Sequence, residues 1–336
     1  MNRMKLLEVL DKARLGLASG DVIDQTTCFV FEKDKVLTYN DEVSVFCPLE
    51  GLDVEGGVKG VELYKLLEKT TGDEVQISVK DSKLVLTKDN MRAELLMEKE
   101  ITLPSMDFEK FEWSSLPNDF IMGVNFCLFS CSTDMTRPVL SCVYVNKEKG
   151  VIESTNNHRL SQFKLSGDIA SSFLLPSVSA RKLVHYEVGE LAFSEGWVHF
   201  KTDDGCIFSI RTYGGKFPNT DVVVNYFREG NVTDKVYFPK DLESVLDRAM
   251  IFSKSGDETV RLVFKGGKLT VQAEGEVGYF EEGMNTEYKG KEFSFLINPS
   301  YLCDICTKTD YFQVIEDSMV KFEGDNWVHV IALIKA

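Results

Sequence analysis

The residues best suited to do chemistry in this chain stand together near its middle, as Thr155-Asn156-Asn157-His158-Arg159-Leu160. A hydroxyl, two amides, an imidazole and a guanidinium follow one another, with an apolar side chain behind them. A plain hairpin turns on an Asn-Gly or Asp-Gly pair, so this turn is over-equipped for turning alone. Two chemistries fit it. The polar groups can rim a binding pocket, or His158 and Arg159, with Asp134 nearby in sequence, can be read as a phosphodiester-cleaving set. General acid–base work needs partners converging on one reacting atom, and no such constellation is evident. Cys303-Asp304-Ile305-Cys306 has the spacing of a metal-ligand pair but lacks a second pair close by, as structural zinc sites have. No metal or cofactor is expected. Neither a glycine-rich phosphate loop nor a Gly-x-Ser-x-Gly elbow occurs.

Around the turn, Val151 to Glu153 and the residues up to Lys164 read as two strands, and the pattern repeats along the chain. Residues 3–17 carry Met4, Leu7, Leu10, Ala13 and Leu17 at helical spacing. Strands at 27–31, 35–39 and 42–46, a helix over 58–70, and strands at 73–79, 83–87 and 92–97 follow. After Leu103-Pro104 the order restarts with a helix over 119–131, strands at 139–145 and 151–153, a helix from Pro176, and strands at 190–193, 197–202 and 206–212. A third round has helices over 239–252 and 298–306 among strands at 259–264, 268–273, 276–282, 292–297, 311–315, 319–322 and 328–335. Helix, strands, helix, strands thus recurs three times at about 110 residues, a usual domain size. The expected fold class is α+β, in three tandem domains over residues 1–110, 111–226 and 227–336, each with two helices packed on antiparallel sheet.

The 336 residues carry a net charge of −15, which repels nucleic acid unless basic groups are segregated onto one face. Eight scattered cysteines suit a reducing compartment. No apolar run reaches 18 residues and no signal-peptide pattern opens the chain, so a cytoplasmic protein that does not engage membranes is expected.

Three motifs in this order resemble the bacterial DNA polymerase III beta subunit, the replication sliding clamp. Thr136-Arg137-Pro138-Val139-Leu140 with Thr155 to Leu160 resembles the family's second-domain pattern, whose turn is Thr-Asp-Gly-His-Arg-Leu. Gly215-Lys216-Phe217-Pro218-Asn219 and Leu103-Pro104-Ser105-Met106-Asp107-Phe108 resemble its two domain joints. The short apolar ending Val330 to Ala336, with a basic penultimate residue, is similar to the family's last strand.

The resemblance implies three copies of the clamp domain forming half of a ring. Two subunits join head to tail around duplex DNA, held without sequence preference, and tether the DNA polymerase catalytic subunit and the clamp loader through short hydrophobic peptides. By position, the implied peptide pocket is Thr155, Asn157, His158, Arg159, Leu160, Pro218, Val223, Ala332, Leu333 and Ile334. The implied DNA-facing groups are Lys59, Lys65, Lys69, Arg137, Arg181 and Lys182, and the implied subunit interface includes Glu98, Glu100, Ile251 and Phe252. The six helix segments 3–17, 58–70, 116–133, 176–188, 239–254 and 298–308 hold 13 Lys and Arg against 10 Asp and Glu, which leaves −18 on the remainder. That sign suits a ring lined by helices.

Three departures from the family pattern stand out. Asn156-Asn157 replaces Asp-Gly, Ala332 matches the pocket's usual floor methionine, and Glu98 and Glu100 put charge where apolar interface side chains are usual. With Gly20-Asp21 in place of a basic, proline-containing loop, the departures suggest a divergent clamp of phage or mobile-element origin. A clamp-fold scaffold that does not encircle DNA is the alternative.

Overall fold

The structure, a computed structural model, describes residues 1–20, 23–104, 106–226, 233–253, 258–315 and 318–335. Asp21, Ser105, the predicted boundary at Phe227, Lys254 and Ala336 lie outside the described residues. The chain forms two compact units, Met1–Asn125 with Ser166–Gly214, and Phe126–Leu165 with Gly215–Ala336.

The first unit is built on an eleven-stranded antiparallel sheet. Its centre runs through Glu55–Lys59, Cys28–Glu32, Lys35–Tyr39 and Val43–Pro48, then continues directly into Ile207–Arg211, Trp197–Thr202 and Val188–Ser194. The Arg3–Ala13 helix starts where Asn2 accepts a hydrogen bond from the Lys5 amide at 2.9 Å, an N-cap that satisfies one of the helix's orphan donors. It buries Leu6, Leu10 and Ala13 and packs on the Val43–Pro48 strand and the Gly60–Lys69 helix. The predicted helix over 58–70 divides, because residues up to Lys59 close the Glu55–Lys59 strand. Sequence reading missed this strand because Gly56-Gly57 lacks β propensity. Gly56 is there for space: its φ is +130°, and a Cβ on it would stand 2.4 Å from the Glu98 carbonyl oxygen.

The second unit holds a sheet that runs Cys142–Asn146, Val151–Thr155, Arg159–Lys164, Trp327–Ala332, Met319–Glu323, Tyr311–Ile315 and Val236–Tyr237. A separate four-stranded sheet orders Gly278–Asn285, Lys268–Gly275, Val260–Lys265 and Phe293–Ile297. The Leu242–Met250 and Pro299–Cys306 helices pack on each other, the first also on the four-stranded sheet. Asn298 caps the second helix and Pro299 occupies its first turn, where its missing N–H costs nothing. Among the described residues, no helix is long and apolar enough to cross a membrane.

Both units bury a neutral imidazole. In the first, His199 is fully buried between the Ser194 and Ser209 hydroxyls at 2.8 and 2.7 Å and stacks on Phe111 at 4.5 Å. Burial pushes it down to about 4. As pH falls through about 6.5 the unfolded chain takes up a proton that folded His199 refuses until about pH 4. Stability should therefore decline across that window, by about 3 kcal/mol in full. His199→Gln, which does not titrate there, should lose less between pH 6.5 and 4.5 in urea titrations. Parallel curves for the two proteins would remove His199 as the cause.

Candidate functional site

The expected hairpin is present, with Val151↔Lys164 through Thr155↔Leu160 in register. Its turn is held from within. Thr155 Oγ1 donates to the Arg159 carbonyl at 2.6 Å and accepts from the Asn157 amide at 3.1 Å, while Asn156 Oδ1 accepts from the amides of His158 and Arg159, both at 3.0 Å. Asn157 takes φ +73°, a left-handed conformation that asparagine adopts more readily than most residues. The Asn156 amide then donates to the Tyr301 hydroxyl at 3.1 Å, fastening the turn to the Pro299–Cys306 helix.

The second strand of the hairpin joins the chain's last strand, Arg159↔Ile331, Leu160↔Val330 and onward to Phe163↔Trp327. Adjacent residues of a strand face opposite sides, so this ladder separates Arg159 from Leu160. Leu160, Ile315 and Val330 make a buried cluster against which Val223, Val224, Tyr226, Met319 and Val328 pack, half-buried. Arg159 turns to the other face. Its guanidinium carbon lies 4.2 Å from the Tyr301 ring centre and 5.5 Å from that of Phe129, its side chain is only 10% exposed, and it pairs with Asp304. Arg159 therefore supports the pocket strand from behind and does not reach the apolar face. On that rear side His329 accepts or donates a bond with Ser161 Oγ at 2.9 Å, and complete burial, with the Arg159 charge beside it, drives its pKa well down.

The segment after the Gly-Lys-Phe-Pro-Asn motif supplies the pocket's other wall. Phe217 is buried and stacks on Tyr144, ring centres 5.0 Å apart. Thr220 donates to the buried carboxylate of Glu153, which Asn146 also contacts at 3.2 Å, and Lys149 pairs with Asp221 at 2.6 Å. These anchors set the Asp221–Tyr226 helix so that Val223 and Val224 meet Leu160. Sequence reading missed this helix, whose Val-Val-Val core favours strand. Pro218 itself is exposed.

Of the remaining expected pocket residues, His158, Ala332 and Ile334 line a cavity of about 720 Å³. Leu333 is half-buried, and its amide donates to the Ser318 carbonyl at 2.8 Å. Ile315, Val330 and Met319 were not anticipated. The alternation Val328-x-Val330-x-Ala332 was the available signal, since residues two apart on a strand share a face. Met319 pairs directly with Ala332.

The phosphodiester set is not assembled, because Asp134 accepts both the amide and the hydroxyl of Thr136 and is absent from the cavity around His158. Burial, helped by neighbouring thiol and carboxylate charges, raises Cys303 to about 12 and Cys306 to about 11. Both therefore rest as thiols at neutral pH. Among the described residues no group of three or more His, Cys, Asp or Glu is placed to hold a metal.

Residues 234–323 match the family model for the C-terminal domain of the DNA polymerase III beta subunit. The beta sliding clamp of Caulobacter vibrioides is 25% identical over 285 residues, 76% of this chain and 74% of the relative. The chain is a divergent relative of the DNA polymerase III beta subunits. The solved beta subunit from Pseudomonas aeruginosa superposes with a TM-score of 0.82 at 20% identity, covering all of this chain and 99% of that one. A P. aeruginosa sliding clamp bound to griselimycin gives 0.83 at 18%, and the Streptococcus pneumoniae beta chain gives 0.81 at 18%, each over 100% of this chain and 98% of the other. The fold is that of the clamp proteins, three tandem α+β domains.

If the Asn156 side chain holds the turn through its acceptor oxygen, Asn156→Asp should leave stability within about 0.5 kcal/mol. Asn156→Ala should lose about 1–3 kcal/mol in urea denaturation followed by tryptophan emission. Equal losses in the two variants would show that the acceptor is not what matters.

Proposed function

We propose that this chain is a DNA sliding clamp, a non-catalytic processivity subunit that closes around duplex DNA as a head-to-tail pair and tethers a polymerase through the apolar face at Leu160. The observation that carries the reading is that face itself. In a chain with the clamp fold, Leu160, Val330 and Met319 are backed by sheet and walled by Val223 and Val224, and a polar turn rims them. An apolar floor with a polar rim suits a peptide with Leu or Phe anchors. The reading takes the chain as three domains, 1–110, 111–226 and 227–336.

Two incompletely paired sheet edges suit a head-to-tail contact. In the Met91–Glu98 strand, residues 91–96 pair with Lys83–Lys88, and only Met97 and Glu98 pair on the other side. Leu96 is 79% exposed on this half-free stretch. The Gly278–Asn285 strand is the edge of its sheet. Near it Ile251 is exposed, and Phe252 stacks on Phe280 at 5.6 Å. Glu98 and Glu100 lie past the free stretch, exposed, where they rim such a contact and do not occupy its centre. Unpaired backbone N–H and C=O groups make such edges ready partners for another chain.

Of the DNA-facing candidates, Lys65 and Lys69 are exposed one turn apart on the Gly60–Lys69 helix, and Arg137 and Arg181 are exposed. Lys59 donates to Thr27 at 2.9 Å, and Lys182 is half-buried, its pKa lowered by that burial. Lys65, Lys69, Arg137 and Arg181 are thus the stronger candidates. A few exposed cations permit weak, sequence-independent phosphate contact, which allows sliding.

With a cognate loader, the protein should remain on closed circular DNA and run off once the circle is linearised. A monomer in sedimentation that is never retained on the circle would instead favour the non-encircling scaffold. For the pocket, Leu160→Asp and Val223→Asp should each weaken binding of a fluorescein-labelled peptide with Leu and Phe anchors by more than tenfold, and Val222→Asp, at a 73% exposed position, should not. Val223→Asp guards against the chance that a charge at buried Leu160 merely unfolds the chain. Unchanged affinity in both pocket variants would remove the assignment.

A further inference from the structure

The cavity beside His158 continues onto the outer face of the four-stranded sheet. The terminal segment reaches that sheet through a bridge between Ile334 and Leu296, with the Ile334 amide donating to the Leu296 carbonyl at 2.9 Å. Across the sheet, Leu296 pairs with Arg261, Arg261 with Gln272, and Gln272 with Glu281. Directly opposed residues share a face, so these side chains form one row, and Leu296, Arg261 and Gln272 of that row line the cavity. Ala332 and Ile334 line it as well, and Ala332 lies across from Met319 of the apolar cluster. Through that pair, one end of the groove stands beside the Leu160 cluster.

Arg261 is the unusual member of the row. It is half-buried, and among the described residues it has no hydrogen-bond or ion-pair partner. Its polar neighbours are already committed. Gln272 donates to Glu281 at 2.7 Å, Tyr279 donates to Glu281 at 2.5 Å, and Glu258 accepts from Ser300 at 2.8 Å. The other charged or titratable groups lining the groove are Glu274, His158, Tyr301 and Lys335. A guanidinium presents a planar fork of donors that matches a carboxylate bidentately, and a half-desolvated one lacking a partner gains most from receiving it. Glu274 and Glu258 oppose a second negative charge, which limits the match to a single acidic group.

We propose that Arg261, in this groove beside the Leu160 face, selects partner segments carrying one carboxylate beside their apolar anchors. The inference rests on the Leu160 face being a peptide site, and the test separates the two. Fluorescein-labelled decapeptides with the same Leu and Phe anchors, and a single Glu, Gln or Lys at one flank or the other, are titrated against the full-length protein, Arg261→Gln and Val223→Asp. The Glu peptide of one flank should bind the unaltered protein about tenfold tighter than its Gln counterpart, about 1.4 kcal/mol, with Lys weakest. Arg261→Gln should erase that preference while leaving the Gln peptide's affinity unchanged, and Val223→Asp should weaken every peptide alike. Equal binding of Glu and Gln peptides at both flanks, or a Glu preference that survives Arg261→Gln, overturns the role of Arg261 and leaves the pocket standing. Failure of any peptide to bind the unaltered protein overturns both.

Discussion

The ladder between Arg159–Lys164 and Trp327–Ala332 is the constraint on which the second unit depends. It brings together residues about 170 positions apart, from Arg159↔Ile331 to Phe163↔Trp327, and its register decides every facing in the site. With Leu160 opposite Val330, the apolar floor lies on one side. With Arg159 opposite Ile331, the cation, the buried His329 and the Pro299–Cys306 helix lie on the other. A slip of one residue would exchange the two sets, placing a guanidinium in the pocket and a leucine against Tyr301. The features that look functional in the turn therefore act first on register. Asn156 ties the turn to Tyr301, and Arg159 is held between Tyr301 and Phe129.

A second constraint fixes the wall opposite that floor. Glu153 is a carboxylate with almost no exposure, and burying a charge without partners costs several kcal/mol. Asn146, Thr220 and Lys149 surround it, so the link that carries Thr220 cannot leave without stranding the charge. Phe217 on Tyr144 adds an apolar hold a few residues earlier. The six-residue helix Asp221–Tyr226 is too short to be stable alone, and these two anchors place it. The pocket wall is thus positioned by a buried ion and a stacked ring, neither of which touches the pocket.

Much of this was legible in the sequence where the signal is periodic. The Lys35–Tyr39 strand, the apolar face of the Leu242–Met250 helix and the hairpin at 151–164 follow from alternation or helical spacing, and the three-round order follows from their succession. The misses have physical causes. Gly56-Gly57 hid a strand because close approach to Glu98 needs the absence of a side chain. Val222-Val223-Val224 reads as strand and is helix because its anchors override propensity. The pocket set derived from family position placed Arg159 beside Leu160, although alternation along a strand already separates them. Ile315 and Met319 could not be found without knowing which strands adjoin, since that pairing is a tertiary fact. Sheet continuity was hidden for the same reason. Val43–Pro48 pairs with Ile207–Arg211, and Arg159–Lys164 with Trp327–Ala332, so each pairing crosses a predicted domain boundary.

The site also indicates how this fold persists at identities near 20%. The turn is defined by backbone amides that need an acceptor at position 156 and by a left-handed residue at 157. Asn156-Asn157 meets both needs with different side chains from the Asp-Gly of the resemblance, and its amide adds a donor for Tyr301. At the pocket floor, Ala332 removes the methionine that the resemblance led one to expect, and Met319, its cross-strand partner, brings a thioether to the same face. A flexible, unbranched side chain can fill such a gap from either strand. In both places the need is for a position in the backbone ladder and a type of surface, and residues other than those of the resemblance meet it.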